Sequence, residues 1–134
     1  MFIKNKDLIK NTLKGTFVYE RIIKIEYSVE NDYTDNYIGT LDLTFHVTLL
    51  QTKEPFKVKI RYSNIDNLTI REATTFPLSG DLIIHDMKEQ GIVSSQRYHV
   101  HDDSGYGEND GFQFIEFYCT SIEVVLVEEF YKEY

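Results

Sequence analysis

Tryptophan is absent from this sequence, and cysteine and alanine occur once each, as Cys119 and Ala73. A lone cysteine cannot close a disulfide within the chain, and such usage fits a reducing compartment. A chain almost without alanine, the strongest helix former, reads poorly as a helical protein. The start, Met1-Phe2-Ile3-Lys4-Asn5-Lys6-Asp7, holds no continuous apolar stretch of the kind a secretion signal needs. No apolar run approaches the ~20 residues of a membrane-spanning helix. These absences set the expectation of a cytoplasmic protein with no membrane association. Positive charge is also scarce: 14 Lys and Arg against 22 Asp and Glu give a formal charge of −8. Nucleic-acid binding wants a basic surface, so no nucleic-acid partner is expected. P-loop, CxxC, serine-nucleophile and paired-carboxylate motifs are missing as well. Catalysis therefore has no positive support, and no cofactor is expected.

What is present favours strands. Nine Phe and ten Tyr sit in a chain that is 42% apolar and 27% charged, an ordinary balance for a folded protein with an unusual share of pleat-filling aromatics. With 134 residues and neither repeat nor linker, one domain over residues 1–134 is expected. Asn5 to Gly15 is the one good helix candidate, with Asn5 as cap, Gly15 as stop, and Leu8, Ile9 and Leu13 on one face. Three segments then alternate with period 2: Ile23 to Val29, Leu41 to Leu49, and Phe56 to Tyr62. Joining the last two through Gln51–Pro55 and setting Leu49 opposite Phe56 matches every apolar residue with an apolar one, whereas a one-residue slip would expose the core face. Similarly, Ile25 opposite Leu41 sets Lys24 against Asp42. Further strands are expected at Leu68–Ile70, Leu82–Ile84, Gln96–His101, Phe112–Cys119 and Ile122–Val127, the last two buried on both faces or central in a sheet. The fold class that follows is mostly β: an antiparallel β-sandwich or flattened barrel of about eight strands with one short N-terminal helix.

Candidate chemistry centres on His99-Val100-His101. Histidines two apart on a strand point the same way, with Cα atoms about 6.5–7 Å apart. That spacing can chelate a metal, with His85, Asp102 or Asp103 able to complete a set. The cupin pattern would place a Glu three or four residues later, whereas the next is Glu108. The favoured reading is an outward strand face carrying no metal, because the sequence forces no third ligand; metal binding through His99 and His101 is the alternative. The acidic, glycine-rich stretch Asp102 to Gly111 lacks the order of a calcium loop. Cys119 lies in an apolar strand and reads as an inert core thiol. Lys57, Lys59 and Arg61 form a basic stripe on a solvated face.

The strings Gly80-Asp81-Leu82-Ile83-Ile84-His85-Asp86, Gln96-Arg97-Tyr98-His99-Val100-His101-Asp102, Phe114-Ile115-Glu116-Phe117-Tyr118-Cys119 and Ile122-Glu123-Val124 resemble small β-rich cytosolic proteins of Bacillus-type bacteria. Relatives of those proteins are grouped with the immunity proteins of polymorphic toxin systems. The resemblance spans roughly residues 68–127. It implies a β-rich fold and a protein-binding role, and it assigns no functional residues. The leading functional expectation is a noncatalytic protein-interaction module of the immunity-protein kind, with a protein partner whose basic charge would complement the −8. Its candidate contacts are the loop tyrosines Tyr33, Tyr37 and Tyr106 with the acids Asp102, Asp103, Glu108 and Asp110, since tyrosine offers large contact area with few rotors to freeze. A metal-binding protein or metal-dependent enzyme using His99 and His101, and a small-ligand carrier with a pocket between its sheets, are the alternatives.

Overall fold

The computed structural model describes residues 2–31, 34, 37–71, 82–102 and 114–130. One short helix, α1 (Asp7–Leu13), precedes eight strands: β1 (Phe17–Asn31), β2 (Tyr37–Leu49), β3 (Pro55–Ser63), β4 (Asp66–Ile70), β5 (Ile83–Asp86), β6 (Tyr98–His101), β7 (Ile115–Cys119) and β8 (Ser121–Glu129). They form two four-stranded antiparallel sheets in the orders β1-β2-β3-β8 and β4-β7-β6-β5. The protein is a mostly β, two-sheet sandwich. No helix among the described residues is long and apolar enough to cross a membrane.

Period-2 alternation builds the core. Leu41, Leu43, Phe45 and Val47 of β2 share a face with Val58, Ile60 and Tyr62 of β3, and all are buried. The second sheet answers with Tyr98, Val100, Ile115, Phe117 and Cys119. Tyr62 and Phe117 meet edge to face across the gap, with ring centroids 4.9 Å apart. Burying each such side chain stabilises the fold by roughly 1.5–3 kcal/mol.

The faces agree with the sequence expectation, but the register does not. Val47, not Leu49, lies opposite Phe56, and Phe45 lies opposite Val58, a shift of two residues. The turn is the cause. Leu49 N–H donates to Glu54 O at 3.0 Å and Lys53 N–H to Leu49 O at 2.8 Å, with Lys53 in the left-handed region at φ 64°. This closes the hairpin through Leu50–Lys53, tighter than the expected pairing would. Pro55, which has no N–H to give, then takes the first position of β3, where strands tolerate it. The β1–β2 register also moves by two, placing Ile25 opposite Leu43 and Glu26 opposite Asp42. That juxtaposes two acids. Lys59 Nζ answers both, at 3.3 Å from Glu26 and 3.6 Å from Asp42, while Arg61 grips Asp42 at 2.9 and 3.0 Å. Lys57 pairs with Glu128 at 3.2 Å, so all three basic side chains of the stripe are engaged within the sheet.

Three further expectations are corrected. β1 begins at Phe17 and carries irregularities at Tyr19/Arg21 and Ile22/Lys24; Ile22 is buried, and Tyr27 and Val29 farther along are exposed. β7 is central in its sheet, but β8 is an edge strand with Leu126 exposed, neither central nor buried on both faces. Its free edge is capped by Lys4, whose N–H donates to Ile122 O and whose carbonyl accepts from Val124 N–H, both at 2.9 Å. The helix is shorter than expected. Asn5 lies in the left-handed region and donates its side-chain amide to Glu123 instead of capping, and Lys14, not Gly15, adopts the left-handed C-cap.

Candidate metal centre

β5 and β6 pair so that His85 lies directly opposite His99, and Ile83 opposite His101. On a pleated sheet, Ile84 and Val100 then point into the sandwich, and the three histidines point out of the second sheet on one face. Their ring centroids form a near-equilateral triangle with sides of 5.5, 5.1 and 5.1 Å. One ligand-capable nitrogen from each lies within 4.8 Å of the others. His101 is buried, and His85 and His99 are half-buried.

The neighbours set which nitrogen of each neutral ring carries its proton. His101 Nδ1 lies 2.8 Å from the carbonyl of Asp102, which can only accept, so Nδ1 is protonated and Nε2 keeps its lone pair. His99 Nε2 lies 3.0 Å from Glu116 Oε2; donating to that carboxylate frees Nδ1. One ring nitrogen held by a carboxylate or carbonyl, with the other left free, is the arrangement that orients histidines around metals. His85 Nε2 sits 3.0 Å from His101 Nε2. Because the latter nitrogen is bare, His85 must donate the bridging proton. A tetrahedral ion with bonds of about 2.0–2.1 Å needs its ligand nitrogens about 3.3 Å apart, so exchanging that proton for a metal requires this pair to open slightly and the His99 nitrogen, within 4.8 Å, to close in. Burial, reinforced by repulsion from His101 and His99, lowers the pKa of His85 and favours its neutral, ligating form. Tyr118 stacks on His99 at 4.5 Å and 10° and holds the ring in place.

The sequence placed His99 and His101 on one face but left a third ligand open. His85, on the neighbouring strand, stands where a third ligand would. Asp102 does not: its carboxylate is buried and accepts the N–H of Phe114 at 3.0 and 3.1 Å and of Ile115 at 2.9 Å. The same burial corrects its expected place among surface contacts. Tyr37 is 73% exposed, as a contact residue requires. Tyr33, Asp103, Tyr106, Glu108 and Asp110 lie outside the described residues. Glu116 was missed, although it is the one charged residue in the apolar run Phe114–Cys119.

Cys119 is fully buried in the core, and burial pushes its thiol pKa up to about 12. At about pH 8 it is expected to resist a disulfide reagent in the native protein and to react stoichiometrically once urea unfolds the domain. Rapid labelling of the folded protein would contradict that placement.

Family models, curated proteins and solved structures offer no match to this chain. The functional reading therefore rests on the residues themselves.

Proposed function

We propose that this protein binds a divalent transition metal of the zinc class through His85, His99 and His101. The observation that carries the reading is the convergence of three histidines from two strands, two of them with one ring nitrogen already engaged by an acceptor. Three imidazoles suit zinc, copper or nickel better than calcium or magnesium, which want oxygen. Three protein ligands also leave a fourth position for water or a bound molecule, the pattern of catalytic rather than closed structural zinc sites. The test is titration of tag-free, chelator-treated protein with zinc. One equivalent is expected to bind with proton release, and affinity is expected to fall on acidification as protons compete for the same lone pairs. Binding no tighter than that of an H85A/H99A double variant would overturn the reading.

A second reading, protein binding of the immunity kind, has its own observation. The β1–β2 ribbon runs three residue pairs beyond the end of β3, and Tyr27, Val29, Tyr37 and Ile38 are exposed along it. The connecting sequence Glu30-Asn31-Asp32-Tyr33-Thr34-Asp35-Asn36 holds three acids and no base, which suits a basic protein partner. If such a partner is captured, Tyr37→Ala is expected to weaken binding by about 1–2 kcal/mol without lowering stability. Unchanged affinity would remove the ribbon from the interface.

A further inference from the structure

A second feature lies on the opposite side of β5, between the sheets. Ile84 points away from the histidines into a cavity of about 900 Å³, whose other walls include Phe45, Ile60 and Val124 of the first sheet and Ile9 of α1. The volume is near the top of the roughly 300–1,000 Å³ range of small-molecule sites. Its walls are mostly apolar, but its rim is not. Lys6, Lys10 and Lys14 line it at four-residue spacing, so they follow one side of α1 and its flanks. All three are exposed, and none makes an ion pair with the described residues. Asp7 is the one acid on the rim. A protein of net charge −8 thus gathers three unpaired cations at the mouth of an apolar chamber.

From this juxtaposition we infer that the cavity binds an amphiphile with an apolar tail and a single anionic head, the tail between the sheets and the head at the lysines. Burying the tail removes apolar surface from water, and the head gains charge-assisted contacts that a neutral analogue cannot make. A long-chain carboxylate and a long-chain alkyl phosphate share this chemistry. The site is separate from the histidine cluster, so its test uses chelator-treated protein and stands whatever the outcome of metal titration.

The experiment measures binding of palmitate, hexadecyl phosphate and hexadecanol, each below its aggregation limit, by displacement of a fluorescent fatty-acid probe. Saturable one-to-one binding is expected for at least one anion, and the tighter of the two identifies the head group. The K6Q/K10Q/K14Q variant is expected to weaken the anion by roughly ten-fold, a modest effect per lysine as exposed charges allow, and to leave hexadecanol within about two-fold. Ile84→Trp, which narrows the chamber, is expected to weaken all three, with circular dichroism confirming the fold. Failure of both anions to saturate the wild-type protein would overturn the inference. So would hexadecanol binding as tightly as the anions, or an anion affinity unmoved by the lysine variant or by Ile84→Trp.

Discussion

Replacing His101 by Ala is expected to weaken zinc binding by two to three orders of magnitude. Complete structural zinc sites contribute about 10–16 kcal/mol, so one ligand accounts for about 3–4 kcal/mol. His101 contributes a lone pair already aimed by its bond to the Asp102 carbonyl, so little ordering is left to do on binding. His85→Ala should lose a similar amount and is the better control for folding, because His85 is only half-buried where His101 is 4% exposed. Glu116→Gln tests orientation rather than ligation. The amide can present either its oxygen or its nitrogen to His99, so the tautomer is no longer dictated, and a loss of about 10–100-fold is expected. Competition titration against a chelator of known affinity measures all three. Equal affinity for His101→Ala, His85→Ala and wild type would mean that the three rings hold no ion together.

Asp102→Ala is expected to destabilise the domain by about 3–5 kcal/mol. Its buried carboxylate accepts the backbone N–H groups of both Phe114 and Ile115 where the chain enters β7. Hydrogen bonds to a charged acceptor contribute about 1.5–3 kcal/mol each, and truncation removes the acceptor that both donors share. Asp102→Asn should fall between, since one amide face can accept while the other presents a competing donor. Urea unfolding gives the comparison, and a loss below about 1 kcal/mol for Asp102→Ala would show that water replaces the carboxylate. If Asp102 were instead a partner contact, the variant would lose binding and keep its stability.

The two features that matter most, the histidine cluster and the apolar chamber, were unequally visible in the sequence. His99 and His101 share a face because strands have period 2, and that much is local. His85 is fourteen positions before His99 in the chain. Only antiparallel pairing of β5 with β6 sets the two opposite each other. Glu116 reaches the cluster through a different ladder, from β7. The chamber had no local signature. Its apolar walls read in the sequence as ordinary core residues, and nothing local ties Lys6, Lys10 and Lys14 to them.

The hairpins show the same division. The alternation in Leu41–Leu49 and Phe56–Tyr62 dictated which side chains face the core, and Phe45, Val58, Ile60 and Tyr62 are buried accordingly. A slip of two residues keeps every side chain on its own face, so hydrophobic pattern alone carries no force against it. The four-residue turn Leu50–Lys53 chose between the permitted registers, through hydrogen bonds and a left-handed Lys53. Composition and period 2 by themselves determined a mostly β domain, its core faces and the outward placement of His99 and His101, because these depend on neighbours along the chain. Tertiary structure decided the register, the edge position of β8, the burial of Asp102 and the meeting of His85 with its two partners. Those depend on which strands lie side by side, and that is settled by turn geometry and by the packing of one sheet on the other.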